Sequence, residues 1–391
     1  MTHNDPITFF AETNFRNHRR LFGIKASDRR HHMYIIGQTG TGKTTLLETM
    51  IGQDMKNGQG LAVLDPHGDF VDQIAKLVPE ERKKDVIYFN APDPECPYGF
   101  NPLRDVPAHQ RPLAAAGLLE AFQKIWANTW GPRMEYILHN TLLTLLEQPG
   151  ATLADVPRLY TDEVYRRKVV ARLTNPHVRR FWHLEFEKYT PRHKTESLSP
   201  IQNKVGAFLS NPVVYRIMTE GRENLDMRRI MDEGKILLVN LAKGRIGSDN
   251  SSLLGAMIVS HLGLAALSRA DIPEHARRDF FLYLDEFQNF TTFSTADMLS
   301  ELRKYRLNLT MAHQYLGQLD EEVRDAIFGN VGTKIAFRIG LRDAEIIEKE
   351  FYPDFNAHDL INLPNFHIYL KLMIDGKVAK AFSAETVQSI P

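Results

Sequence analysis

Short apolar runs alternate along this chain with longer segments in which apolar residues recur every three or four positions. The runs are typical of buried strands, and the three-to-four spacing is typical of helices with one buried face. Apolar runs predict strands at 34–36, 61–64, 86–89, 235–241, 280–284, 307–312 and 334–337, and the first of these precedes a predicted helix at 45–55. This alternation indicates an α/β fold.

The alternation stops near residue 110, and helical spacing replaces it for more than a hundred residues. Met134, Ile137, Leu138 and Leu142 follow that spacing. We therefore predict an all-helical insertion domain at 105–230 that interrupts an α/β core formed by 31–104 and 231–391. Residues 1–30, rich in Arg and Lys, are predicted as an arm that packs on a neighbouring subunit or contacts nucleic acid; a solvated lead-in is the alternative.

The longest apolar-rich run, 253–267, is short for a membrane span and contains His261. It predicts a buried helix. The first residues lack a basic flank followed by an apolar run, so no signal peptide is expected. Together these features predict a soluble protein of the cytoplasmic type without a transmembrane segment of its own.

The amino-acid composition adds only two constraints on possible functions. Lys plus Arg and Asp plus Glu both number 48, so the formal net charge is zero and any DNA contact must come from a local basic surface. Cys96 is the single cysteine, which excludes an intramolecular disulfide and a multi-cysteine metal site.

The stretch 37–44, Gly-Gln-Thr-Gly-Thr-Gly-Lys-Thr, fits the Walker A pattern at every fixed position, between a predicted strand and a predicted helix. Its backbone N–H groups and Lys43 are suited to the phosphates of a nucleoside triphosphate, and the Thr44 hydroxyl is suited to Mg²⁺. The alternative is a Gly/Thr turn with a chance lysine. The predicted nucleotide-binding residues are Gly37, Thr39, Gly40, Thr41, Gly42, Lys43, Thr44 and Thr45.

An acidic pair follows the predicted strand 280–284. This arrangement resembles a Walker B motif, in which Asp285 holds Mg²⁺ and Glu286 polarises the attacking water. Two acids in a solvated turn are the alternative. The next strand ends in His313-Gln314, and Gln314 is the better candidate to sense the γ-phosphate or the water; an ordinary polar pair at a strand end is the alternative.

Arg303 lies at the end of a predicted helix between these two strands. We predict that it is an arginine finger supplied to a neighbour's nucleotide; the alternative is that it caps the negative end of the helix. Arg338 and Arg133 are further phosphate-facing candidates, although both are more often structural.

The segment 161–194 has nine Lys and Arg residues against four Asp and Glu, with aromatic residues between them. Arg166, Arg167, Arg179 and Arg180 are its predicted phosphate contacts, and a charged helical surface without DNA is the alternative. Lys243 and Arg245, in a predicted loop after strand 235–241, are candidates for a pore loop in a ring or for contacts with a neighbour's phosphates.

These motifs together resemble P-loop ATPases of the FtsK–HerA class, and among them coupling proteins of the TraG/TraD kind. The matching stretches are 37–44, 64–69, 130–135, 283–288, 303–305 and 312–314. The resemblance implies a RecA-like core with an all-α insertion, ATP and Mg²⁺ as cofactors, a homohexamer with nucleotide between subunits, and DNA drawn through the pore. Coupling proteins of this kind usually begin with transmembrane helices, and none is predicted here.

Two functions are compatible with these observations. The first is an ATP-hydrolysing DNA translocase for conjugation or type IV secretion, cytoplasmic or held at the inner membrane by a secretion-channel or relaxase partner. The second is a recruitment hub that binds a protein or nucleoprotein substrate, with ATP as an assembly switch. The acidic pair and Arg303 favour the first, because a switch has less need of fast hydrolysis.

Overall fold

The computed structural model describes residues 5–221, 223–292 and 294–387. Its strands are β1 (Ile7–Thr13), β2 (Leu21–Lys25), β3 (Met33–Ile36), β4 (Gly60–Asp65), β5 (Val86–Asn90), β6 (Tyr98–Gly99), β7 (Glu223–Asn224), β8 (Ile236–Asn240), β9 (Phe280–Leu284), β10 (Leu307–His313), β11 (Thr333–Ala336), β12 (His367–Lys371), β13 (Met373–Ile374), β14 (Lys377–Val378) and β15 (Phe382–Thr386).

The α-helices are α1 (Ala26–Arg29), α2 (Lys43–Lys56), α3 (Asp69–Lys76), α4 (Arg111–Trp126), α5 (Pro132–Leu146), α6 (Asp155–Thr161), α7 (Glu163–Ala171), α8 (Pro176–Arg180), α9 (Pro191–Leu209), α10 (Pro212–Thr219), α11 (Met227–Glu233), α12 (Lys243–Ile246), α13 (Ser248–Ser268), α14 (Ser294–Glu301), α15 (Glu321–Asn330), α16 (Leu341–Phe351) and α17 (Ala357–Ile361). Short 3₁₀ helices lie at Phe15–Asn17, Glu80–Asp85, Ala108–Gln110, Ala127–Thr129, Phe186–Lys188, Arg269–Asp271, Glu274–Ala276, Phe287–Asn289, Leu302–Tyr305 and Leu316–Gln318, and a π-helical turn at Phe181–Glu185.

The chain divides into two compact units. Unit 1 comprises residues 1–89, 228–240 and 265–391, and unit 2 comprises 90–227 and 241–264. We predicted the insertion at 105–230; those limits stay a prediction.

Unit 1 is built on a large mixed sheet with the strand order β2-β1-β15-β12-β11-β3-β10-β9-β4-β8-β5. The pairs from β11 through β3, β10, β9 and β4 to β8 are parallel. The α/β fold class with a mainly parallel sheet is therefore confirmed. In a parallel sheet all the carboxyl ends lie at one edge, which is where ligands bind in open α/β folds.

The segment that we predicted as an N-terminal arm instead forms strands at one side of this sheet. β1 pairs antiparallel with β15 and with β2. Phe10 and Ala11 are fully buried, and Ile24 is nearly so, which explains why the segment is held in the sheet despite its basic residues.

Helix α2 packs on the sheet through a continuous apolar face. Leu46, Leu47, Met50 and Ile51 have no exposed surface, and they join a core cluster with sheet residues such as Ile35. Burial of these side chains fixes the position of the first turn of the helix, and therefore of the loop that precedes it.

Unit 2 is mainly helical, with a two-residue parallel pair of strands, β6 and β7. Phe122 stacks on Trp126 at 4.4 Å between ring centroids. The buried Trp182 donates its indole N–H to Thr144 Oγ1 at 2.8 Å, so the polar atom of this large side chain has a partner. Phe181, Trp182 and Phe186 of the basic segment 161–194 are therefore core residues of unit 2, packed against one another.

Helix α13 is longer than the apolar run suggested. Among the residues described, the span Ser248–Asp271 is long and apolar enough to cross a membrane, but 72% of its most apolar window is buried inside the protein. A core helix has the same properties, so this is weak evidence for a membrane segment.

Candidate nucleotide-binding site

The loop between β3 and α2 has the backbone of a phosphate-binding loop. Gly40 and Gly42 have φ angles of 77° and 118°, a region that favours glycine. At Gly42 a Cβ atom would also lie 2.8 Å from the Phe366 ring, so a side chain there would be both strained and crowded.

Lys43 is folded back on the loop, where its Nζ donates to the carbonyl oxygens of Gly37 at 2.6 Å and Gln38 at 3.0 Å. Burial lowers the pKa of this ammonium, while the charges of Asp285 and Glu286 oppose that change. In a complex, phosphate oxygens would replace these carbonyl oxygens as the acceptors of the Lys43 hydrogen bonds. Thr41 serves the loop itself, because its buried hydroxyl donates to Gln38 O at 2.7 Å.

The acidic pair lies directly beyond β9. Burial and the nearby charge of Asp65 raise the pKa of Asp285 to about 6. Glu286 has φ 46° and ψ 49°, a left-handed backbone that is unusual for a residue other than glycine. Such strain is found most often at functional sites, where it re-aims a side chain.

The two strands beside β9 bring partners to Glu286. Gln314, just after β10, donates from Nε2 to Glu286 Oε1 at 2.9 Å. His67, in the turn after β4, places Nε2 3.1 Å from Glu286 Oε2. Sequence reasoning identified Gln314 but missed His67, although the stretch 64–69 that contains it was among those that resemble coupling proteins.

His313 is fully buried, and its Nε2 lies 2.6 Å from Tyr34 Oη. Burial, with a smaller contribution from the charge of Lys43, lowers the pKa of His313 to about 3. The imidazole is therefore neutral at physiological pH. With His313 Nε2 next to Tyr34 and Gln314 donating to Glu286, the geometry supports the preference for Gln314.

These side chains share one cavity of about 320 Å³ at the carboxyl edge of the sheet. Its lining residues are Thr39, Gly40, Gly42, Lys43, Thr44, Thr45, His67, Asp285, Glu286, His313, Gln314 and Phe366. Gly37 and Thr41 of the predicted binding residues are not in this lining and shape the loop from within. Phe366 was not predicted, since it enters from a loop far along the chain.

Thr44 and Asp285 supply a hydroxyl and a carboxylate to the same cavity. Within 5–221, 223–292 and 294–387 there is no group of three or more His, Cys, Asp or Glu side chains that could hold a metal. A donor set of this size suits Mg²⁺, which keeps several waters and takes its other oxygens from substrate phosphates.

Arg303 lies away from this cavity. It is an exposed residue of the 3₁₀ helix Leu302–Tyr305, and it lines a different depression together with Arg30, His31 and Arg306. Arg338, in contrast, is next to the phosphate-binding loop, with Nε 3.4 Å from Gln38 Oε1 and Nη1 donating to Leu363 O at 3.1 Å. Arg133 is exposed at the start of α5 in unit 2.

The predicted nucleic-acid residues are not equivalent in the structure. Arg166 is only 6% exposed and donates to the carbonyl oxygens of Leu159 at 3.0 Å and Tyr160 at 3.4 Å, so the prediction of a surface contact is wrong for this side chain. Arg167 is exposed beside Glu163, and Arg180 is exposed at the end of α8.

Three further predicted contacts differ in accessibility. Arg179 is exposed but donates to Leu173 O. Lys243 and Arg245 lie on the one-turn helix α12 instead of the predicted loop, with Lys243 half-buried and Arg245 exposed. Arg245 is therefore the more accessible of the two.

Two parts of the chain are similar to known protein families. Two family models match the chain: the type IV secretion-system coupling protein DNA-binding domain at residues 21–197, and the TraM recognition site of TraD and TraG at residues 279–350. No curated protein matches the chain by sequence.

Solved structures match nearly the whole chain at low identity. The plasmid coupling protein TrwB in complex with the ATP analogue ADPNP is 16% identical with a TM-score of 0.65, and the match covers 93% of this chain and 86% of that one. TrwB in complex with ADP and Mg²⁺ is 15% identical with a TM-score of 0.66, over 97% and 89%. VirB4 of Thermoanaerobacter pseudethanolicus is 13% identical with a TM-score of 0.69, over 98% and 97%. At this identity the structures establish a shared fold.

Proposed function

Because this chain is a P-loop protein of the TraG/TraD coupling-protein type, we propose that it hydrolyses ATP to move DNA in conjugation or type IV secretion. The observation that carries the proposal is the single cavity in which Lys43 and Thr44 of the phosphate-binding loop meet Asp285, Glu286 and Gln314. A triphosphate bound there would have a cation at its phosphates and a carboxylate within reach of an attacking water.

The residues divide the chemistry between them. Lys43 would exchange its loop carbonyl partners for β- and γ-phosphate oxygens, which carry more charge. Glu286 would orient the water and accept its proton, with Gln314 holding the carboxylate in place. Mg²⁺, held by Thr44 and Asp285, would neutralise charge on the phosphates.

The motor would act as a ring of identical subunits. Arg303 is exposed and remote from the cavity of its own chain, which suits a cation supplied to the neighbour's nucleotide. A homohexamer, with nucleotide between subunits, is therefore part of the proposal. Arg338 stays the alternative source of positive charge, because it already lies beside the loop.

The match to a coupling-protein DNA-binding domain supports DNA as the transported substrate. Exposed Arg167, Arg179 and Arg180 would meet phosphates on unit 2, and Lys243 and Arg245 would line the pore. The protein would work on the cytoplasmic side of the inner membrane, through partners in the secretion apparatus.

The test is ATP hydrolysis by purified protein with single-stranded DNA, double-stranded DNA and no DNA, at several salt concentrations. We expect DNA to increase turnover, and mass measured under the same conditions to correspond to six chains. Glu286→Gln should bind nucleotide but lose turnover by at least about 10²-fold, as expected for loss of a general base. Hydrolysis that is independent of DNA at every salt concentration would contradict the motor function.

A second candidate is the ATP-switched recruitment hub. The match to a TraM recognition site at 279–350 favours a hub, since that description concerns recognition of a partner. A hub would bind a relaxase-type or accessory protein only with nucleotide present and would show slow, DNA-independent turnover. Pull-down with nucleotide-bound Glu286→Gln protein, compared with the nucleotide-free form, separates the two candidates.

A further inference from the structure

Glu286 is held from both sides of its own strand. β9 lies between β10 and β4 in the sheet, and Leu284 of β9 is in register with Leu64 of β4. Gln314 from one side donates to Oε1 at 2.9 Å, and His67 from the other side lies 3.1 Å from Oε2. A carboxylate can only accept, so attraction across the second contact requires a hydrogen on His67 Nε2.

The turn that carries His67 is built to fix its position. The buried Asp65 accepts the backbone N–H of His67 at 2.7 Å and that of Gly68 at 2.8 Å. Gly68 has φ 98°, and a Cβ atom there would lie 2.7 Å from Asn240 Oδ1. The backbone of His67 is thus constrained on both sides, while its ring stays 47% exposed at the mouth of the cavity.

Glu286 needs such support because its own backbone is strained. With φ 46° it leaves β9 in a left-handed conformation, which is costly and persists only where surrounding contacts hold it. Asn289 Nδ2 gives a further contact to Oε2 at 3.3 Å from the turn after β9 itself, whereas His67 joins this oxygen to a neighbouring strand of the sheet. Two neighbouring strands therefore determine where the carboxylate points.

We propose that His67 is a positioning residue for hydrolysis, which acts by holding Glu286 in the orientation that accepts the water proton. The inference rests on the proposed ATPase function. In the step itself, the water oxygen bonds to the γ-phosphorus, the bond from that phosphorus to the β–γ bridging oxygen breaks, and the water proton moves to Glu286. His67 neither gains nor loses a proton; its imidazole, with Nε2 3.1 Å from Oε2, keeps that oxygen in place, as supporting residues do for reacting groups elsewhere.

The test compares two amide side chains of different length, Gln and Asn, in place of His67. The amide nitrogen of Gln replaces Nε2 of His closely, whereas that of Asn is too short to reach Glu286. We expect His67→Asn to lower kcat about tenfold, in line with the cost of misplacing a reacting group, and His67→Gln to stay within about threefold of the unchanged protein. Affinity for a fluorescent ATP analogue should change less than twofold in both, because the ion-pair contact of His67 is with Glu286 and the phosphate-binding groups of the loop are unchanged.

Controls separate positioning from folding. His358→Ala removes an exposed histidine of the same unit and should leave kcat and KM unchanged. Thermal unfolding shows whether each variant is folded. His67→Ala is a second variant that lacks the imidazole nitrogen next to Glu286. Equal kcat in the Gln and Asn variants, or a loss of nucleotide affinity with kcat retained, would overturn the role of His67. Absence of hydrolysis by the unchanged protein would instead overturn the ATPase proposal, and with it this inference.

Discussion

Arg29 and Asp54 form an ion pair with almost no contact with water: Arg29 Nη1 lies 2.7 Å from Asp54 Oδ1, and each side chain is 1% exposed. Asp54 belongs to α2, the helix that begins at Lys43, and Arg29 also donates to the hydroxyl of Tyr283 in β9 at 2.6 Å. The pair therefore links the helix of the phosphate-binding loop to the strand that precedes the acidic pair.

The first prediction concerns the stability of this link. Arg29→Met should lower the free energy of unfolding by about 3–5 kcal/mol, because it leaves a buried carboxylate without its cation. Arg19→Met is the control, since Arg19 is 64% exposed beside Glu12 and Glu385 and should cost under about 1 kcal/mol. Urea unfolding at pH 7 measures the free energy of unfolding of both variants. Equal losses in the two would show that the buried pair adds nothing to stability.

Local sequence was sufficient for the parts of the site that are continuous in the chain. The loop with Lys43 and the acidic pair with Asp285 each follow an apolar run, and the cavity contains both. Gln314 could be predicted for the same reason. Each depends on one strand and the residues directly after it, which hydrophobic pattern identifies well.

Contacts that depend on the order of strands could not be predicted in this way. His67 meets Glu286 only because β4 lies next to β9, and sequence does not state which strands are neighbours. Strand β1 was missed because its partner β15 is at the other end of the chain, with Glu12 opposite Glu385. The burial of Arg166 could not be predicted either. Sequence alone does not show whether an arginine in a basic cluster faces water or the carbonyls at the end of a helix.

The second prediction concerns the cost of burying Asp285. Its folded-state pKa of about 6 is above the ordinary value of 3.8, so between these two pH values the unfolded chain releases a proton that the folded chain retains. The contribution of the Asp285 carboxyl to the free energy of unfolding is thus lost as pH rises from about 4 to 6, and it stays low above that range. Asp285→Asn should therefore be more stable than the unchanged protein by about 1–3 kcal/mol at pH 7 and no more stable at pH 3.5.

The measurement is urea unfolding across pH 3.5–7.5 without Mg²⁺ or nucleotide. Asp325→Asn, at a carboxylate 66% exposed to solvent, should give no such trend. Asp285→Asn should also lose ATP hydrolysis, so that stability and activity change in opposite directions. A stability difference that is independent of pH would mean that the Asp285 carboxyl is not the source.

The third prediction concerns DNA binding by unit 2. Arg167→Ala and Arg180→Ala should each weaken DNA binding and reduce the slope of log affinity against log salt by about 0.7–0.9, as expected for one lost phosphate contact. Arg166→Ala should leave that slope unchanged and lower thermal stability instead, because Arg166 is buried against Leu159 and Tyr160 carbonyls. Lys83→Ala, at an exposed lysine of unit 1, is the control. An unchanged slope in both surface variants would remove this region from the DNA-binding surface.

The last prediction concerns the division of the active site between subunits. If Arg303 acts on a neighbour's nucleotide, Lys43→Ala and Arg303→Ala proteins should each be inactive alone and regain activity when mixed, because about a quarter of the interfaces in equal mixed rings join two intact halves. Mixing Lys43→Ala with Glu286→Gln is the matched control: both residues line one cavity of the same chain, so no interface can be repaired. ATP hydrolysis is measured after joint ring formation has been verified by mass. Equal recovery in both mixtures, or none in either, would argue against Arg303 as the residue supplied in trans.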